Sequence, residues 1–257
     1  MLAFTREVSP AIADCELTHL VRQPIDVKTA ARQHESYERC LTELGCRVCR
    51  VPGGRDKADG VFIEDTAVVL DELAVITRPG AESRRAETAD VADALRLHRP
   101  LLSIEPPGTL DGGDVLRVGR SVYVGLSSRT NLDGIRQLAR HLAPLGYGVS
   151  TVEVSGALHL KSAVSEVAER TLLINRDWVR PETFPGLELI PVDPAEPFGG
   201  NALQIGGTVI YPSAFPRTRT TLESRGISVR TVDASELAKA EGGVTCCSLI
   251  LREASER

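Results

Sequence analysis

The chain has 257 residues, 42% of them hydrophobic, and a formal net charge of −5. That content suffices to bury one sizeable core, and the acidic balance argues against nucleic acid or an anionic membrane surface as the main partner. No segment approaches membrane-spanning length, Met1–Glu7 lacks the apolar stretch of a signal peptide, and no linker or charge run divides the chain, so the expectation is a single cytoplasmic domain over residues 1–257.

In chain order, 27–44 predicts a helix that feeds a strand at 46–51. Residues 61–69, turning at Asp71-Glu72 into 73–77, form the first hairpin signal: β-branched residues on either side of a short charged turn. A helix pattern over 81–97 (Val91, Ala94, Leu95) then leads to a strand at 101–104. The unit recurs at 113–125, turning at Gly119-Arg120, with a helix at 131–142 and a strand at 149–154. It recurs again at 161–175, where Pro181–Pro185 makes no proper helix. A fourth hairpin spans 201–211 through Gly206-Gly207, followed by a helix at 218–225 and a strand at 229–232. The last begins at Thr245 and lacks its second strand, and the N-terminal helix and its strand supply the partner. Starts spaced by roughly 40–50 residues mark an array. The prediction is a ring of five α/β units in which the first and last segments close on each other.

The ring gives the polar residues a common destination. At the inner mouths of the hairpins stand Glu64 and Asp65, Asp111 and Asp114, His159 and Lys161, Asn201, and Cys246. This is an acidic set with one imidazole and one thiol, suited to a small cation. A thiol is a good nucleophile near neutral pH, and histidine moves protons there. Singly, each has an ordinary structural reading. Asp111-Gly112-Gly113-Asp114 is a turn signal, and Arg129–Asn131 is helix-start chemistry. Asp65 in an apolar strand resists such a reading, because burying an unpaired carboxylate is costly. The six cysteines do not form a disulfide framework, and Cys46-x-x-Cys49 has no second pair to complete a zinc site. In a strand, Cys246 and Cys247 would face opposite ways, so one of them serves the site.

Several segments together resemble the dimethylarginine dimethylaminohydrolases of the guanidine-modifying (pentein) superfamily: Val61–Asp65, Ile76–Arg85, Thr109–Val115, Val124–Asn131, Leu158–Ser162 and Thr245–Ser248. The resemblance runs through nearly the whole chain, whose length also matches this branch better than the longer deiminases and amidinotransferases. It implies a five-bladed α/β propeller of ββαβ units around a central active site. It further implies a covalent hydrolase converting Nω-methylated arginine to citrulline and an alkylamine, with no metal or organic cofactor and a small guanidino compound as partner. By position, Cys246 is the nucleophile, His159 the general acid and base, and Asp111 the carboxylate beside His159. Asp65 and Glu64 would bind the guanidinium, Asp59 the substrate amine, and Arg84 and Arg129 the α-carboxylate. Leu17 falls in the flap over the site and Ala240 in the amine-binding backbone before the nucleophile. Two other readings stay open. One is a related hydrolase acting on arginine or another guanidine. The other is a non-catalytic binding or redox-sensing protein that uses the Cys246-Cys247 pair.

Overall fold

The computed structural model of the chain describes residues 1–252. It contains five three-stranded sheets, in each of which the middle strand runs antiparallel to the first and parallel to the third. The first unit pairs Ala67–Val69, Ala74–Ile76 and Leu101–Ser103, with the helix Thr88–Arg96 before its third strand. The second pairs Val115–Val118, Ser121–Leu126 and Gly148–Glu153 across the helix Leu132–Leu142, which Asn131 caps by accepting from the Gly134 N–H at 2.9 Å. The third (Val164–Ala168, Thr171–Ile174, Glu188–Pro191) has only the 3-10 turn Pro181–Thr183 in place of a helix. The fourth joins Leu203–Ile205, Thr208–Pro212 and Ser228–Val232 around the helix Pro216–Ser224.

The fifth unit closes the ring. Its first strand is Leu249–Leu251, and the second strand missing from the C-terminal segment is Leu2–Thr5, which pairs antiparallel with it and parallel with Arg47–Arg50. All four residues of Leu2–Thr5 are buried. The helix Val27–Glu43 packs its Ala30, Tyr37, Cys40 and Leu41 face into the core, and its first turn is held by Asp26, which accepts from the Lys28 and Thr29 amides.

The apolar residues form five clusters, each shared by two neighbouring units. Val68 and Val75 of the first unit meet Val115 and Leu138 of the second, and at the closure Leu2 and Leu249 meet Ala67 and Leu95. Each fully buried Leu, Val or Ile contributes about 1.5–3 kcal/mol, so the ring is held by its inter-sheet seams. Cys46 belongs to such a seam, and all six cysteines are free. No helix among the described residues is long and apolar enough to cross a membrane.

The first strands face the axis and surround a cavity of about 220 Å³, lined by residues such as Val69, Leu116, Ser165, Leu203 and Leu249, one from each unit. Above it, each mouth differs from the sequence expectation in one respect: the chain arrives in a single tight turn, and the strand starts later. Ile63–Thr66 and Gly112–Asp114 are 3-10 turns, Leu160–Ala163 is one helical turn, and 244–247 is a turn ahead of Leu249. Apolar, β-branched runs read as strand throughout, but their first residues turn so that backbone amides and polar side chains point at the axis. Cys246 and Cys247 therefore lie on a turn, and strand alternation does not govern them.

Candidate active site

The mouth turns bring Asp65, Asp111, Asp114, His159, Glu64 and Cys246 together, each less than a tenth exposed. His159 sits at the centre. Its Nε2 is 2.9 Å from Asp111 Oδ2 and its Nδ1 is 3.8 Å from Asp65 Oδ1. Burial opposes charge on the imidazole, but Asp65, Asp114 and Asp111 outweigh it and raise its pKa to about 9. His159 is therefore an imidazolium at neutral pH, and the carboxylates around it are fixed by backbone donors. The Gly80 N–H donates to Asp111 Oδ1, the Gly113 N–H to Asp65 Oδ1 and the Leu160 N–H to Asp114 Oδ1, each at 2.9 Å.

Glycine is required at 113. A Cβ there would lie 2.6 Å from His159 Nδ1 and 2.8 Å from Asp65 Oδ1, inside the space the two groups share. Asp114, placed at the mouth from sequence but given no role there, accepts from Ser127 Oγ at 2.6 Å and from the Leu160 amide, fixing the turn that carries His159. Burial lifts its pKa to about 6, against the pull of His159.

Cys246 is tied to this group through its neighbours: the Glu64 N–H donates to the Cys246 carbonyl at 3.1 Å. Glu64 itself takes Lys161 Nζ at 2.5 Å and Thr245 Oγ1 at 2.8 Å, and all three residues line the axial cavity. The Gly243 N–H points at Cys246 Sγ, 3.3 Å away. Burial, then Glu64 and Asp65, push the Cys246 thiol up to about 12, more than the Gly243 amide and Lys161 offset. The Cys246 thiol is therefore protonated near neutral pH. Carbamidomethylation of Cys246 in the free protein by iodoacetamide, followed by mass addition at that residue, should climb about tenfold per pH unit from 8 to 10. A plateau at or below pH 9 would contradict this.

The remaining predicted residues fall at one side of the mouth. Asp59 accepts the Glu16 amide with both oxygens (3.2 and 3.1 Å), and burial lifts its pKa to about 6. Leu17 and Ala240 pack on the cluster that holds Phe62 and Cys246. Arg129 is nearly buried, with Nη2 donating to Thr18 Oγ1 at 3.1 Å. Arg84 is placed differently from Arg129. Its Nη1 donates to Asp65 Oδ2 at 2.5 Å, its Nε and Nη2 to Glu87 at 3.3 and 2.9 Å, and Nη2 also to the Phe62 carbonyl at 2.9 Å. A buried guanidinium takes the nearest anions, and here those are the protein's own carboxylates. Asp65 is consequently held ionised, His159 and Arg84 overcoming the effect of burial. Sequence spacing did not expose this pairing, because Arg84 and Asp65 are on different turns. Donor atoms of Asp65, Asp111 and His159 also lie within 4.8 Å of one another, close enough to share a metal ion.

A ring of five such units with a buried acidic mouth and a thiol at its edge is the architecture of the guanidine-modifying penteins, here in the form of a hydrolase of C–N bonds. Residues 19–251 match the family described as N,N dimethylarginine dimethylhydrolase, eukaryotic. An N(G),N(G)-dimethylarginine dimethylaminohydrolase of Streptomyces coelicolor is 40% identical over 254 residues, 98% of this chain and 97% of the relative. One of the same name from Pseudomonas aeruginosa is 35% identical over 226 residues, 87% of this chain and 89% of the relative. The fold superposes with a TM-score of 0.92 on a solved structure of the P. aeruginosa protein, a cysteine-to-serine variant complexed with citrulline, at 33% identity and covering 96% of this chain and 97% of that one. The chain belongs to the dimethylarginine dimethylaminohydrolase family.

Proposed function

We propose that the protein hydrolyses Nω-methylated arginine, asymmetric dimethylarginine and monomethylarginine, to citrulline and dimethylamine or methylamine. The observation that carries this reading is that a buried Cys246 thiol and a buried His159 imidazolium stand around the same carboxylate, Asp65, with Asp111 bonded to His159 and Glu64 acting on Cys246. Such a mouth is primed by a bound cation. A guanidinium held by Asp65 and Asp111 lowers the cost of a thiolate at Cys246, whose proton leaves to solvent. The sulfur attacks the guanidinium carbon to give a neutral tetrahedral adduct. The imidazolium passes its proton to the alkylated nitrogen, the C–N bond breaks, and the amine departs, leaving a cationic S-alkylthiouronium. Neutral His159 then takes a proton from water as its oxygen adds to the same carbon. Collapse breaks the C–S bond, and one proton returns to sulfur as citrulline forms.

In this reading, Asp59, Leu17 and Ala240 meet the substrate amine and Arg129 presents a guanidinium fork to the α-carboxylate. Arg84 adds to that contact only the Nη1 hydrogen left over from Asp65. The test is a citrulline and amine assay comparing dimethylarginine, monomethylarginine, arginine and agmatine, with Cys246→Ser as control. Methylated substrates are expected to be preferred, with turnover lost in the variant and its circular dichroism unchanged. Activity on arginine or agmatine alone would move the protein to the deiminases.

A further inference from the structure

We propose that Glu241 is the latch of the lid, a positioning residue that holds the amine end of the site closed. The inference rests on the reading of Leu17 and Ala240 as amine contacts. Residues 15–26 form neither helix nor strand, and they approach the nucleophile loop from the far end of the sequence. Three successive amides of this segment converge on one side chain. The Thr18 N–H donates to Glu241 Oε2 at 3.1 Å, and the His19 and Leu20 N–H groups donate to Oε1 at 2.5 and 2.6 Å. Consecutive amides pointing the same way make a concave nest for an anion, and Glu241 supplies that anion from within the chain.

The backbone at 241 shows that the side chain is there for a reason. The turn Ser235–Ala238 is followed by a Schellman ending: the Glu241 N–H donates to the Ala238 carbonyl and the Gly242 N–H to the Leu237 carbonyl, both at 3.1 Å. That ending puts residue 241 at φ +58°, the left-handed position where glycine is the usual occupant. A glutamate here accepts strain that a glycine would not carry, and in return its carboxylate reaches the lid. The loop also has no slack on its other side, since a Cβ at Gly242 would fall 2.1 Å from Phe62 Cε1.

Leu17 is thereby pinned between two anchors. On one side the Glu16 amide is held by Asp59, and on the other Thr18 is held by Glu241 and, through its hydroxyl, by Arg129. Glu241 lies directly after Ala240, so one carboxylate sets the distance between the lid and the backbone before the nucleophile.

The experiment compares wild type with Glu241→Gly, Glu241→Ala and Glu241→Gln in the full chain. Hydrogen–deuterium exchange of amides 18–20 is read without substrate, and melting and steady-state kinetics are read alongside. In Glu241→Gly and Glu241→Ala these amides should exchange at least about tenfold faster. KM should rise about tenfold or more while kcat stays within about threefold. Glu241→Gln, which keeps one acceptor oxygen, should fall between them and wild type. Glu241→Gly relieves the left-handed strain, so its melting temperature should match or exceed that of wild type while its KM worsens, a combination that a merely structural role would not produce. Unchanged exchange at 18–20 in Glu241→Gly would overturn the latch. Faster exchange with an unchanged KM would overturn its positioning role. Should wild type turn over none of the guanidines, the proposed function fails, and the exchange measurement still decides the latch.

Discussion

His159→Ala should release no measurable amine, with kcat falling by about 10²–10⁴-fold or more, and the protein should also change its response to pH. The imidazolium serves two ends at once. In the proposed reaction it donates to the leaving amine, and in the structure it is the cation among Asp65, Asp111 and Asp114. Its pKa rises from an ordinary 6.5 to about 9 in the folded protein. A group held protonated in this way stabilises the fold fully below pH 6.5 and loses that contribution as pH climbs through 9. A shift of this size corresponds to about 3 kcal/mol as an order of magnitude. Wild type should therefore lose stability across pH 6.5–9, and His159→Ala should start lower and lack that slope. Buried Cys thiols lose their contribution only above their ordinary value of 9, outside the window. Urea unfolding of both proteins at pH 6, 7.5 and 9 is the measurement. Parallel curves would mean that His159 is not charged at rest, and the proton for the leaving amine would then need another source.

The ring and its centre were legible in the sequence for one physical reason. Each inner strand is a short β-branched run preceded by polar residues, and repetition turned five weak signals into one. Asp65, Asp111, His159 and Cys246 could be picked out because each sits at the same place in its unit. What stayed hidden depends on contacts between units. Leu2–Thr5 is too short to show alternation, and only the backbone groups of Leu249–Leu251 and Arg47–Arg50 make it a strand. The mouth residues read as strand because apolar composition cannot reveal a one-turn helix at a strand's entrance. The amides of Gly80, Gly113 and Gly243, which aim at Asp111, Asp65 and Cys246, carry no side-chain signal at all. Glu241 gave no signal in the sequence, since its partners lie more than 200 residues away.

Arg84 shows how far such a hidden pairing alters an expectation. As a contact to the substrate's carboxylate, its loss would raise KM and leave the folded protein intact. The structure instead places its guanidinium between Asp65 and Glu87, with all three side chains buried. Arg84→Met would strand two carboxylates away from water, and removing one partner of a buried ion pair costs about 3–5 kcal/mol. In a chain of this size that is a fall in Tm of roughly 6–20 °C. Arg84→Lys keeps a charge but not the fork, so it cannot bridge Asp65, Glu87 and the Phe62 carbonyl together, and it should recover only part of the loss. Asp65 gives the sign of the pH dependence. Its pKa is depressed in wild type, so it stabilises the fold above its ordinary value of 3.8 and loses that contribution on acidification. Without Arg84 the depression shrinks, so the deficit of the variant should be full from about pH 5 upward and smaller near pH 3. Turnover should drop about a hundredfold, since Asp65 would lose the partner that fixes its Oδ2 and with it the orientation of a bound guanidinium. Thermal melts at about pH 3 and pH 7 beside kinetics separate the two roles. A KM effect with unchanged Tm makes Arg84 a substrate contact alone, and a large Tm loss with the stated pH trend makes it the support on which Asp65 stands.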